Sequence, residues 1–179
     1  FKHEPNWNAV LYLKNTIWPL IRKKLPTAEM HVYGAYVSEK AQQLHNKKEG
    51  FLIKGWADNA ENTYKNSRVC LAPLQFGAGL KGKLIDAMQF GTPSVTTAIG
   101  AEAMHKKLSW NGFICDEPTL FSESAVALYT DKIEWKKAQK NGVIILNKCF
   151  SKAKYGEKLL LKVGDISQII ENHRLKNFI

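Results

Sequence analysis

Apolar positions along the chain fall into short runs that alternate with longer, helically spaced segments. Val10, Leu13, Ile17 and Ile21 recur at three- and four-residue steps. They predict one face of a helix that Asn6 or Asn8 caps and that runs to about Leu25. Pro19 predicts a bend within it, and Pro26 lies just past its end. MHVYG (30–34) and FLIKGW (51–56) read as strands, separated by a polar helix from Ser38 to about Glu49 that Gly50 ends. Asp58 with Glu61 forms a capping-box pattern for a helix to about Asn66. Residues 68–74, 93–97 and 113–116 are further strand runs. Leu80, Leu84, Ile85 and Met88 mark a helix between the first two of these. Pro118 sits in the first turn of a helix to about Tyr129, and Asp131 caps another from Lys132 to Asn147. The tail from Ser151 reads as two helical stretches broken at Gly164-Asp165.

Strands alternating with helices imply parallel βαβ units, so the expected fold class is α/β, a doubly wound Rossmann-like parallel sheet. Residues 1–150 form that domain, and 151–179 a helical tail. Ligands in such sheets gather beyond the carboxyl ends of the strands. The loops there are 34–38, 56–59, 75–80 and 98–104. The first helix has no strand before it; Phe1-Lys2 reads as the end of one, and the chain as a piece of a longer protein.

Composition narrows the function classes. A 45% apolar, 23% charged chain of 179 residues is ordinary for a globular domain, and no apolar run is long enough to span a bilayer. Cys70, Cys115 and Cys149 are odd in number and far apart, which fits core residues in a reducing compartment, the cytoplasm. Neither cysteines nor histidines have metal-site spacing. The net charge of +10 comes from small clusters at helix ends. No nucleic-acid motif accompanies them, so nucleic acid is not an expected partner. Attraction to an anionic membrane face, the inner one, suits the charge better.

One loop carries candidate chemistry. Phe76 to Gly82 holds three glycines between a strand and a helix, with Lys81 and Lys83 beside them. Such a turn presents unpaired N–H groups and the positive end of a helix dipole, which suits phosphate. Three readings follow. GAGLKGK (77–83) fits the P-loop spacing, and FICDE (113–117) imitates a metal-binding strand end; but the position that needs Ser or Thr for magnesium holds Leu84. The loop could equally be a structural turn in a non-catalytic interaction domain. A nucleotide-sugar site is the third reading. There the loop and a lysine hold the diphosphate, Asp86 takes the ribose hydroxyls and Trp56 walls the base; alternatively Asp86 pairs with Lys83 and Trp56 is core.

Resemblance favours the third. PLQFGAGLKGKLIDAMQFGTPSVTTAIGAEAM (73–104) combines a G-x-G-x-K-x-K loop, an acidic-Ala-Met helix, a Gly-Thr-Pro turn and an Ile-Gly-Ala-Glu loop. It resembles the donor-site signature of retaining group-1 glycosyltransferases of the GT-B fold, in a branch from bacterial polysaccharide clusters. HEPNWNAV, HVYGAY and FLIKGWADNAENTYKNSRVCLAPL extend the likeness over roughly residues 1 to 150. The resemblance implies one half of a two-domain enzyme, the domain that holds a UDP- or GDP-sugar. A missing N-terminal domain would supply most of the acceptor site, and the tail would cross back to it. It implies transfer with retention to a surface polysaccharide or lipid-linked glycan, without a metal or other cofactor, and no turnover by this half alone. Carried onto these residues, Gly77, Gly79, Leu80 and Lys81 meet the diphosphate with Lys83 nearby, and Asp86 stands for the family's ribose-binding Glu. Ala78 stands where the pattern has a Glu for the donor sugar. His3, Lys2 or Asn6 takes the role of a basic residue near the first helix, and Glu102 either reaches the donor or caps a turn. No catalytic acid, base or nucleophile is assigned.

Overall fold

The computed structural model describes residues 3–170 with Arg174 and Lys176. The tail beyond these, and Phe1 and Lys2 with the expected strand end, lie outside the described residues. The chain opens with α1 (Glu4–Tyr12), which continues through a π-helical segment, Leu13–Ile17, into α2 (Trp18–Lys24). Pro19 explains the π-segment: it offers no N–H, and its ring crowds the carbonyl one turn earlier, so the helix widens there. The expected cap also moves: the helix starts at Glu4 behind His3, with Pro5 in its first turn, rather than at Asn6 or Asn8.

β1 (Met30–Tyr33) and β2 (Phe51–Gly55) pair in parallel, Met30 against Phe51. The helix expected between them is only α3 (Glu39–Gln42), capped by Ser38. After it Asn46 exchanges both backbone hydrogen bonds with Phe51 (2.7 and 2.9 Å), a tight hairpin that ends any helix before Glu49. α4 (Ala60–Lys65) follows, capped by Asn59, whose Oδ1 accepts from the Asn62 N–H at 2.9 Å. The cap thus falls one residue after Asp58.

β3 (Cys70–Ala72), β4 (Ser94–Thr96) and β5 (Gly112–Ile114) form a second parallel set in that order. They alternate with α5 (Gly82–Gln89) and α6 (Ala98–Ala101). α7 (Pro118–Thr130) and α8 (Lys132–Cys149) close the domain, capped by Glu117 and Asp131. Ser151 then caps α9 (Lys152–Gln168). α9 runs unbroken through Gly164-Asp165, correcting the expected break: one helical Gly costs only about 1 kcal/mol.

Helices cover both faces of the strands, as a doubly wound fold requires. On one face Leu13, Ile17, Trp18 and Ile21 pack with Val32, Phe51, Val95, Phe121 and Leu128. On the other Leu84 and Met88 of α5 pack with Ala72, Met104, Trp110 and Ile145. Alternation along β4 sorts the two cores: Val95 enters the first, while Ser94 and Thr96 turn the opposite way. Their buried hydroxyls donate to the Asn111 and Ala72 carbonyls at 3.4 and 2.8 Å. No described helix is long and apolar enough to cross a membrane. α9 buries none of its described side chains, and Tyr155, Leu159, Leu160 and Val163 lie exposed along it.

Candidate functional site

β3 delivers the chain to the carboxyl edge through buried Pro73 and Leu74, and residues 75–80 then surface. Gly77 and Gly79 take φ of +120° and +78°, where a side chain would be strained. A Cβ on Gly77 would lie 3.2 Å from Pro5, so the loop leans on the first turn of α1. A Cβ added to Gly79 would meet nothing within 4 Å, and Leu80 is 60% exposed. The loop runs into α5, whose N-cap Lys81 makes no side-chain cap bond. The helix start therefore keeps N–H groups that no cap side chain claims, at the positive end of its dipole.

The two lysines play different parts. Lys81 is only 8% exposed, and its Nζ donates to the Gly79 and Gly77 carbonyls at 2.6 and 3.1 Å. It points back into the loop and staples it. Lys83 Nζ reaches across to Asn6 Oδ1 in α1 at 2.5 Å. Burial holds its pKa below the usual lysine range, with Lys81 a lesser influence in the same direction and Cys70 an opposing one. Tyr64 of α4 donates its hydroxyl to the Lys83 carbonyl at 3.0 Å and stacks on Phe90. Beneath, burial pushes the Cys70 thiol up to about 11 despite the nearby Lys83 charge. Asn6, Lys83, Asp86 and His3 share the wall of one cavity of about 590 Å³. Among the described residues no ion pair joins Lys83 to Asp86, so the simple pairing of those two does not form.

Other expected site residues lie elsewhere. Trp56 is 70% exposed, which rules out its core alternative; its neighbour Ala57, not Trp56, lines the cavity. Ala78 is exposed on the loop. Glu102 ends α6, exposed and off the cavity wall. The P-loop reading meets a physical obstacle: Leu84 is fully buried in the α5 core, so its position does not face a ligand. Asp116 and Glu117, the imitation of a metal-binding strand end, instead accept backbone N–H bonds from Ala98 and Leu120 at 2.9 and 2.8 Å. Among the described residues no His, Cys, Asp and Glu cluster suits a metal. Tyr64, and the Asn6–Lys83 bond as such, were not legible, because their partners lie 19 and 77 residues away.

Known proteins share this architecture. A variant of TarM from S. aureus, solved with fondaparinux, α-GlcNAc-glycerol and UDP, superposes with a TM-score of 0.74 at 17% identity over 89% of this chain. A second TarM structure gives 0.72 at 17% identity over 87% of this chain and 32% of its own. The pneumococcal O-GlcNAc transferase GtfA, solved with UDP and GlcNAc, gives 0.59 at 16% identity over 88% of this chain. At such identities the likeness is one of fold. The chain spans about a third of their length, 33% and 34% for the first and third. No curated protein matches the sequence. The family profile described as Glycosyl transferases group 1 matches residues 1–131, from α1 through α7, and includes the whole glycine loop. With that profile over most of the domain and the fold shared with TarM and GtfA, the chain belongs to the group-1 glycosyltransferases.

Proposed function

We propose that this chain is the donor-binding half of a retaining glycosyltransferase. It binds a nucleoside diphosphate sugar, and an N-terminal domain of the same protein brings the acceptor. One observation carries the reading: at the carboxyl edge of the sheet an uncapped glycine loop runs into the helix whose Lys83 and Asp86 line the cavity. The diphosphate lies against the N–H groups around Gly77, Gly79 and Leu80, with Lys83 as its cation. Lys81 acts from behind by holding the loop in shape. Asp86 accepts from the ribose hydroxyls, and Trp56 stacks the base from its exposed position. His3 and Glu102 are secondary donor contacts. Charge that develops on the leaving diphosphate is stabilised by groups already in place, with no metal needed. The acceptor is a growing surface polysaccharide or a lipid-linked glycan in the cytoplasm, and the basic surface holds the protein near an anionic membrane face.

UDP is the first probe, since TarM and GtfA were both solved with it. Titration calorimetry of the folded chain with UDP, GDP and their sugar conjugates should show binding to one base. Lys83→Ala should weaken it about tenfold or more, the scale of one charged hydrogen bond. A folded sample that takes up no nucleoside diphosphate would sink the proposal, and binding of ATP with magnesium alone would revive the P-loop reading.

A further inference from the structure

A second concavity lies outside the glycine-loop site. Six residues line an open basin of about 650 Å³. Lys106, Lys107 and Leu108 come from the turn after α6, Lys148 and Cys149 from the last turn of α8, and Lys154 from the first turn of α9. The basin shares no lining residue with the 590 Å³ cavity. Leu108 is half-buried and Cys149 buried, and all four lysines are exposed around them. No acidic residue lines the basin. Among the described residues none of the four ammonium groups takes part in an ion pair.

Four like charges brought together from three segments repel one another unless a counter-charge is supplied. Local structure does not relieve this. Lys106 holds a φ of +55° and nearby Ala103 one of +58°, in the left-handed region that residues with a side chain rarely adopt. The turn is nonetheless pinned: His105 Nδ1 donates to the Leu108 carbonyl at 2.6 Å, and its ring packs edge-on against buried Trp110. A fixed turn, not a loose loop, therefore presents Lys106 and Lys107. Lys154 and Lys152 stand in the first turn of α9, with no acidic residue among them. Cations are disfavoured there, at the positive end of the helix dipole. Lys148 alone suits its place, at the negative end of α8. Helix lysines elsewhere have carboxylates beside them: Lys24 has Glu123, Lys65 has Glu61 and Lys137 has Glu134.

We propose that this basin is a second anion site, and that it takes a compact group with closely spaced phosphates, either a soluble phosphate or the headgroup of an anionic lipid. A concave wall with cations from three segments suits a small multivalent anion, which all four ammonium groups can approach at once. Phosphate offers several acceptor oxygens and more than one charge in that space, and lysine serves it as a mobile point charge. The apolar floor of Leu108 and Cys149 keeps the local dielectric below that of water, which strengthens the attraction. An anion bound here would offset the repulsion between the lysines and the misplaced charge at the start of α9. The inference holds whichever ligand the glycine loop takes, because the two sites have no residue in common.

An NMR titration of the protein with inorganic pyrophosphate tests this. The backbone amides of 106–108 and 148–154 should shift together, with one affinity. That affinity should fall about tenfold in the double variant Lys107→Ala/Lys148→Ala, while any shifts at 77–83 stay as they were. Both side chains are exposed, so the variant should melt with the natural chain. Amides that do not move at 106–108 and 148–154, or shifts confined to 77–83, overturn the proposal. So does an equal loss of affinity in Lys23→Ala/Lys47→Ala, an exposed pair outside the basin, since the effect would then be one of net charge. Sedimentation with phosphatidylcholine vesicles containing phosphatidylglycerol separates the two sources. Pelleting that the Lys107→Ala/Lys148→Ala variant loses supports a lipid headgroup; pyrophosphate binding without such pelleting supports a soluble phosphate.

Discussion

Two glycine-containing loops leave neighbouring strands at the same edge of the sheet, and they do opposite things. After β3, Gly77 and Gly79 adopt positive φ, nothing stands within 4 Å of a Cβ on Gly79, and α5 starts without a side-chain cap. After β4 the helix-start groups at Ala98 and Gly100 are taken. Thr97 accepts from the Gly100 N–H at 3.1 Å and donates to the Leu74 carbonyl, and Asp116 occupies the Ala98 N–H. A Cβ on Gly100 would lie 1.9 Å from Thr96 Oγ1. A glycine between strand and helix is thus no sign of a ligand by itself. What marks a site is a set of donors that the fold leaves unclaimed. The β3 loop has that surplus, and the β4 loop has used its donors to lock the two strand ends together.

The largest effect should separate the loops by substitution. Gly100→Val forces Thr96 to turn and give up its buried bond to Ala72, in a core with no slack. It should cost about 3 kcal/mol or more, roughly 6–12 °C in Tm. Gly79→Ala meets open space but a strained backbone, and should cost only about 1 kcal/mol. Its larger consequence should be weaker UDP binding. Thermal melts of both variants decide the matter; equal losses would erase the distinction between a packing joint and an open loop.

The next effect sharpens the role assigned to Lys81. If its ammonium is a staple, Lys81→Met should speed amide exchange at 76–80 and weaken UDP binding about three- to tenfold through lost preorganisation. A loss as large as that of Lys83→Ala, with loop exchange unchanged, would mean that the ammonium leaves the loop for the ligand.

How far the sequence showed these differences depends on the range of the contacts involved. β3, α5, β4, α7 and α8 were legible because period, caps and turn residues agree within each segment: Pro118 opens α7, and Asp131 caps α8 through the Ile133 and Glu134 N–H groups. The polar stretch 38–49 was misread because its helix former pattern loses to the Asn46–Phe51 hairpin, a pairing with the following strand. The π-segment before Pro19 was legible only as a bend. Of the candidate site residues, Gly77, Gly79, Lys83 and Asp86 stand close together along one turn and helix, and the family resemblance assigned their roles. The inward aim of Lys81 depends on loop geometry, and the Asn6 partner of Lys83 on a contact 77 residues away. Neither leaves a local trace.

The smallest effect concerns the ligand-free protein. Burial lowers the pKa of Lys83, so keeping it charged in the fold costs stability that the open loop bears and the closed one does not. The sign follows from linkage. Between the lowered folded pKa and the ordinary value of about 10.5, the unfolded chain binds more protons, so stability contributed at Lys83 rises with pH across that window. It is fully present above the unfolded value and lost as pH falls through the folded one. Lys83→Met fills the same space without charge. It should melt slightly higher than the natural chain at pH 7, and the gain should shrink as pH approaches 10.5. The same variant should bind UDP at least tenfold more weakly, the loss expected for a charged hydrogen bond. Melts across pH 7 to 10.5, paired with UDP titrations, would then show a cation kept at some cost to the free fold for the sake of an anion. A variant less stable at pH 7, with UDP affinity intact, would instead make the Lys83–Asn6 bond a structural tie and leave the open loop without its cation.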